Sequence, residues 1–532
     1  MRNLTGRGTT EKGEVVSSEK NTVKSVKRGV TLPVRAIIAS LLILVQIGFF
    51  VLIGVYMQRW ATVIYTAVQL IAIVIVFTIL NKRDNPSYKL TWTVFILAAP
   101  FVGGVTFFLW GNVKVKPRLK KRLDEQRRLN LRYLWQDPAV KARLSYEAAD
   151  YARQSQFLLK ESDFPVYGDT TVEYLSPGEK FLPRMLEELE NAEKYIFLEY
   201  FIIAEGKMWN SIYSVLSRKA KSGVEVRVIF DDLGSISRQG KKFTQRLRRD
   251  GIKVLVFNRI RPSIDLALNN RDHRKICVID GYVSMTGGLN IADEYINETQ
   301  PHGYWMDNAI IMKGPATTTF AIAFCEMWSS MSSERLDPKD YIVESFPKAK
   351  GYVQPYLENP LDEHAHPAEG IYRQILSTAK DYVYIVSPYL ILDNTMMTAL
   401  TSAAKAGTDV RIITPSIRDK WYVHPVTQFN YQELLEAGVR VFEYTPGFVH
   451  SKLFVSDDIV ATSGTVNMDY RSFYFHFECG VWMCNVPQVN DIKEHFLMMQ
   501  NDSCEISLES WAKRPILKRF VQSLLNVFAP FM

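Results

Sequence analysis

Three apolar runs crowd the first fifth of the chain, at residues 36–57, 61–80 and 90–110. At 1.5 Å rise per residue, about 20 residues match a hydrocarbon core of about 30 Å, so the pattern predicts N-terminal transmembrane helices. Pro100, Gly103 and Gly104 interrupt the third run. Such breaks are tolerated in a membrane only where other protein re-satisfies the backbone, so a re-entrant segment is the alternative there. Residues 114–132 alternate Lys and Arg with Leu119, Leu123, Leu129 and Leu131, which suits a helix against anionic headgroups or a solvated linker. Beyond about residue 160 the pattern changes to short β-branched runs alternating with amphipathic, helix-like ones such as 208–222 and 395–405. That alternation predicts an α/β fold.

The body also repeats itself. Tyr195 and its neighbours recur around Tyr382, Gly223-Val-Glu-Val-Arg227 recurs as Gly407-Thr-Asp-Val-Arg411, and Gly251-Ile-Lys-Val254 recurs as Gly438-Val-Arg-Val441. A duplication implies two similar lobes with mixed β-sheets flanked by helices. The expected layout is a basic tail (1–35), membrane segments (36–110), a basic juxtamembrane linker (111–160), a first lobe (161–345) and a second lobe (346–532). The offset between the copies drops by ten just before residue 273, so the first lobe carries extra residues within 258–272. These were open to two readings, a pocket rim that meets lipid and an idle surface insertion.

Charge sharpens this layout. The chain has 532 residues and a formal net charge of +8, yet residues 1–132 alone carry +15 and the remainder −7. A mildly acidic body argues against a nucleic-acid partner, whose backbone needs a basic surface. The excess belongs to the membrane flank. Counts of Lys and Arg on the two sides of three spans nearly balance and leave the orientation open. Five cysteines with no CxxC pair argue against a disulfide framework or zinc ribbon, and lean toward a reducing, cytoplasmic compartment for the lobes.

Both copies of the repeat end on one polar constellation. His273, Lys275 and Asp280 recur as His450, Lys452 and Asp457, each set an HxKxxxxD motif. Thr286 and Ser463 follow their histidines by 13 residues, and Asn290 and Asn467 by 17. In a strand, residues i and i+2 share a face, so each His and Lys project together. The two motifs form the candidate catalytic set. Within it, parity puts Asp280 and Asp457 on the opposite face, which suits a structural role at a turn. Thr286, Ser463, Asn290 and Asn467 supply donors for a phosphate oxygen. Paired His, Lys and Asn describe a phosphodiester site with no metal and no other cofactor, in which the lysines provide the neutralising charge. One histidine attacks phosphorus and the other moves the proton, a two-step transfer. Spacing alone does not say which is which.

These paired motifs resemble the phospholipase D superfamily, and the chain from about residue 60 onward resembles its bacterial cardiolipin synthases. Gly288-Leu-Asn-Ile-Ala-Asp-Glu-Tyr295 and Gly464-Thr-Val-Asn-Met-Asp-Tyr-Arg-Ser472 carry that likeness. The resemblance implies phosphatidyl transfer between two phosphatidylglycerol molecules, giving cardiolipin and glycerol. It also implies His273 as nucleophile, His450 as general acid/base, and Asp307 and Glu478 as the acids that orient them. A multi-pass protein of the bacterial cell membrane, with a bilayer and anionic phospholipid as partners, goes with it. Hydrolysis, or transfer to another alcohol, is the alternative outcome at the same site. This chain departs from the family in the extra run 36–57 and in Met306, where Arg is expected. Lesser candidates are a metal cluster at Asp362, His364 and His366, strand-end residues Asp231 and Asp232, and an amphipathic helix within 511–532 packed on the second lobe.

Overall fold

The computed structural model describes residues 58–82, 85–111, 117–259, 270–343, 345–362 and 365–532, with a few positions between 44 and 51. The apolar run 36–57 lies almost wholly outside these residues, as do residues 260–269 of the insertion. Two mixed-sheet lobes make up the body. In the first, the strand order is Thr171–Leu175, Ala309–Lys313, Val283–Gly287, Lys275–Ile279, Tyr195–Tyr200, Glu225–Asp231, Lys253–Phe257. The second repeats it as Tyr352–Glu358, His476–Cys484, Val460–Gly464, Leu453–Ser456, Tyr382–Val386, Asp409–Pro415, Arg440–Tyr444, and adds Ser503–Ile506 at the edge. In both, the two links among the last three strands shared by the lobes are parallel, and the other strand pairs are antiparallel. Strands buried on both faces lose the polar alternation, which is why Tyr382–Val386 is a continuous hydrophobic run and Tyr195–Tyr200 is one but for the buried Glu199.

The helix Thr317–Met331 is buried along almost its entire length. It shares one core with Phe197 and Ile276 of the first lobe and Phe477 and Val481 of the second. Two short parallel strand pairs also cross between lobes. Arg271–Asp272 lies beside His476–Phe477, and Tyr304–Met306 lies beside Gly447–Val449.

Among the described residues, one helix carries a run long and apolar enough to cross a membrane, Thr62–Leu80. The run 90–110 is not a straight span. The helix Pro86–Ala98 ends where Pro100 removes a backbone donor, and Pro100–Thr106 folds back along it. A Cβ at Gly103 would stand 2.5 Å from the Ile96 Cα, so only glycine admits this approach. The chain returns far enough for Tyr88 Oη to donate to the Gly111 carbonyl at 3.3 Å. Residues 111–160, expected as a linker, instead carry helices Pro117–Asn130, Pro138–Glu147 and most of Ala149–Ser162. Lys120 donates to the Leu361 carbonyl, and the Arg127 guanidinium stacks 3.9 Å from the Phe164 ring centroid. The basic residues are thus partly spent on the body.

Candidate active site

The cross-lobe strands set the histidines. His273 donates its backbone N–H to the Phe477 carbonyl at 2.9 Å, and His450 donates its own to the Met306 carbonyl at 2.7 Å. The residue after each carbonyl is an acid, so each lobe hands a carboxylate to the other lobe's ring. His273 Nδ1 lies 2.9 Å from both Glu478 oxygens, and His450 Nδ1 lies 2.7 Å from Asp307 Oδ2. A carboxylate only accepts, which places each ring proton on Nδ1 and leaves Nε2 with its lone pair. Both rings line one cavity of about 620 Å³, together with Asn290 and Asn467.

Electrostatics suit a nucleophile and a proton carrier. Burial, with Lys275, Lys452 and His450 near, holds His273 well below the usual imidazole range. Burial and Lys452 bring His450 down to about 4. The rings are therefore neutral at pH 7. Burial also brings Lys275 down to about 8 and Lys452 to about 7. Each ammonium donates to the backbone carbonyl of its own motif histidine, Lys275 at 2.6 Å. An arriving phosphate anion stabilises the charged form of both lysines.

The motif aspartates lie elsewhere. Asp280 accepts from the backbone N–H groups of Glu193, Lys194 and Tyr195, and Asp457 from those of Lys380, Asp381 and Tyr382. Both sit at positive φ in the turn after the motif strand, where Asp is tolerated better than most residues. Each clamps the start of a central strand. The presumed phosphate-binding hydroxyls are also engaged, Thr286 with Cys479 Sγ at 3.3 Å and Ser463 with Asn308 Nδ2 at 2.8 Å. Asn290 accepts from the Ile202 N–H and donates to the Tyr295 hydroxyl. Asn467 Oδ1 is buried without a hydrogen-bond partner, so of the two amides it is the one free to turn toward a ligand.

Asp231 is a brace rather than a site residue. It caps the turn at Leu233, takes Arg271 at 3.4 Å, and accepts the Asp272 N–H just before His273. Asn258 Nδ2 reaches the Asn270 carbonyl at 3.1 Å, closing the base of the insertion. Of the proposed linker cluster, residues 363–364 lie outside the described residues, and His366 Nδ1 pairs with the buried Glu358 at 3.2 Å. Met306, at the family's Arg position, is buried with its sulfur 3.3 Å from His495 Nε2.

One pocket residue escaped the sequence reading. His476 is buried with its ring centroid 5.6 Å from that of His273, and neither ring nitrogen has a hydrogen-bond partner. Burial drives it down to about 3. Strand parity with Glu478 is the signal that places it on this face. His273, His476 and Glu478 offer ligand atoms within 4.8 Å of one another, a spacing that a metal could use. Glu478, however, already accepts from His273, Thr465 and Ser472, the donor set of an orienting carboxylate.

The family model described as "Cardiolipin synthase, PLD-like domain" matches residues 185–328 and 372–500, and "Phospholipase_D-nuclease N-terminal" matches 69–112. The chain is 31% identical to a cardiolipin synthase of Alkalihalophilus pseudofirmus, over 90% of this chain and 95% of that one. It is 32% identical to a cardiolipin synthase of a Geobacillus strain, over 86% and 91%. An uncharacterized protein of Streptococcus mutans is 39% identical over 86% of this chain and 99% of its own. The fold is shared with a phosphatidylserine synthase of Haemophilus influenzae, at TM-score 0.54 and 14% identity, over 71% of this chain and 98% of that one. Two lobes that exchange acids onto paired HxK histidines, and these matches along most of the chain, make this protein a phospholipase D-type phosphatidyltransferase of the cardiolipin synthase family.

Proposed function

We propose that the protein transfers a phosphatidyl group from one phosphatidylglycerol to a second, giving cardiolipin and glycerol. The observation that carries this reading is the pair of buried neutral imidazoles, each with Nδ1 fixed by a carboxylate from the opposite lobe, beside two buried lysines. His273 Nε2 attacks phosphorus, and the bond from phosphorus to the glycerol oxygen breaks. His450 gives that oxygen its proton, and glycerol leaves. The terminal hydroxyl of a second phosphatidylglycerol then loses its proton to His450 and attacks, and the phosphorus–nitrogen bond breaks. Lys275 and Lys452 neutralise the phosphoryl oxygens throughout, and Asn467 supplies a further donor.

His450 must carry a proton in the first step. A bound phosphate anion beside the ring favours the imidazolium and so raises it from its depressed starting point. The apolar run Thr62–Leu80 and the match over 69–112 support anchoring in the cell membrane. The lobes belong in the cytoplasm on this reading, since the five cysteines are all unpaired.

The test is purified protein in mixed micelles with labelled phosphatidylglycerol, following glycerol, cardiolipin and phosphatidic acid together. Cardiolipin and glycerol in equal amounts are expected. Phosphatidic acid as the main product would make water the acceptor and overturn the transferase assignment.

A further inference from the structure

The C-terminal helix Ile516–Asn526 is amphipathic in the wrong sense for a helix that only packs on a soluble lobe. Its inward contact is narrow and mixed, with the buried Gln522 taking Arg514 at 2.7 Å and reaching Gln428 at 3.3 Å, and Leu525 packing against Val423 and Val426. Its apolar residues face outward: Ile516 is 83% exposed, Leu517 74%, Phe520 62% and Leu524 52%. These four fall at i, i+1, i+4 and i+8, one continuous face of the helix. The helix packs on the second lobe as expected, through Gln522 and Leu525, but the longer apolar stripe faces away from it.

What covers the stripe is indicated by its surroundings. Thr91 Oγ1, in the doubled-back apolar segment, donates to the Val527 carbonyl at 3.1 Å. The Phe531 ring packs 5.7 Å from Tyr88 and 5.2 Å from Trp92 of the same segment. That segment exposes Leu90, Val94 and Leu97 as well, so the stripe and the apolar segment it adjoins both present apolar surface. Residues 511–532 hold Lys513, Arg514, Lys518 and Arg519 and no acid, in a body that is otherwise acidic. Past the helix, Phe531 and Met532 reach the catalytic cavity and line it.

We propose that Ile516–Phe528 lies in the headgroup–acyl boundary of an anionic bilayer and holds the mouth of the catalytic cavity at the membrane surface, where a phospholipid enters without leaving the bilayer. An apolar face flanked by basic residues is the form such interfacial helices take. The bilayer is the single occupant argued for; a second copy of the chain is an outcome of the test. The entry route rests on the phosphatidyl-transfer reading, whereas the seating of the helix does not.

Cys504 is the one exposed cysteine of the five, so Cys504→Ser with Phe520→Cys places a single reactive thiol on the stripe. The full chain, labelled there with an environment-sensitive nitrobenzoxadiazole dye, is reconstituted in vesicles containing phosphatidylglycerol. Blue-shifted emission, shielding from iodide and quenching by lipids spin-labelled near the headgroup are expected. A dye that stays open to iodide, or a disulfide-linked dimer through position 520 that forms in vesicles at low protein density, overturns the seating. In parallel, Phe520→Glu/Leu524→Glu is expected to slow turnover of vesicle-borne substrate by about tenfold, while monomeric short-chain phosphatidylglycerol is turned over within about twofold of the parent rate. Equal loss on both substrates overturns the entry route. Failure of the parent itself to act on the short-chain lipid counts against the transferase reading alone, since the dye still decides the seating.

Discussion

His273 and His450 occupy equivalent places in the two lobes, but the acids that hold them are supported by different means. Glu478 accepts hydroxyl hydrogen bonds from Thr465 and Ser472 and meets His273 with both oxygens. Asp307 uses one oxygen for His450 and the other for the Asn308 backbone N–H. The repeat places Gly288 opposite Thr465, and a Cβ at Gly288 would stand 2.0 Å from Asp307 Oδ1. One lobe therefore fixes its long carboxylate with hydroxyls, and the other makes room for a short carboxylate by omitting a side chain. The rings differ too: His450 sits among Tyr295, Trp305 and Phe448, while His273 has Phe201 and the buried imidazole of His476. The two copies share the geometry while the packing around it differs, which suits the two unequal roles proposed for them.

The largest expected effect separates those jobs. His273→Ala lowers turnover by at least about 10⁴-fold and abolishes the acid-labile phosphoenzyme, whereas His450→Ala slows turnover but leaves label trapped on His273. Acid-quenched protein with phosphorus-labelled phosphatidylglycerol reads this directly, and label on His450 in the first variant would reverse the roles. Next come the lysines. Lys275→Met and Lys452→Met each cost about 10²–10³-fold in kcat/KM, the scale for removing a preorganised donor from a developing charge.

Supports of the two acids test the asymmetry itself. Gly288→Ala pushes Asp307 away from His450 and lowers kcat by about 10-fold to 100-fold, while Thr465→Ala leaves Ser472 on Glu478 and costs only a few-fold. Equal effects of the two would mean that the different supports do not matter to the chemistry. The pH dependence follows from the lysines, charged below about 7 for Lys452 and about 8 for Lys275 in the free protein. Raising the pH through that window removes positive charge from the pocket, so KM for the anionic substrate rises. Lys452→Arg, always charged, flattens the lower part of that rise.

The smallest effect on activity comes from the motif aspartates. Asp280→Ala or Asp457→Ala leaves three backbone amides without their shared acceptor and destabilises its lobe by about 1.5–3 kcal/mol, read as a lower urea midpoint, with kcat kept in the protein that remains folded. A loss of kcat at unchanged stability would return these aspartates to the chemistry.

Much of this is legible in the sequence. The strand Lys275–Ile279 begins at the motif lysine with His273 just before it, and the two similar lobes with mixed sheets are those that the duplication implies. Strand parity separates Asp280 and Asp457 from their histidines in the sequence, and turns at positive φ just past the strands hold them in the structure. His476 did not stand out, because a histidine two residues before an acid has no signature until the strand is seen to edge a cavity. Thr286 and Ser463 show a related point: spacing places a residue on a face, while neighbours take up its hydroxyl. For the C-terminal helix, the sequence shows an apolar stripe but not which side of it meets the lobe. Which way a stripe turns depends on what lies beside it.

The sequence by itself determined the duplication, the paired His and Lys, and the apolar N-terminal segment, because repeats, strand parity and hydropathy are local properties of a chain. Tertiary structure alone decided which acid serves which histidine. Glu478 lies 205 residues from His273, and Asp307 lies 143 from His450, each in the other lobe. No local pattern encodes such a crossing. It arises where short parallel strands bridge the lobes, and the same long-range packing turns the C-terminal stripe outward beside the membrane anchor.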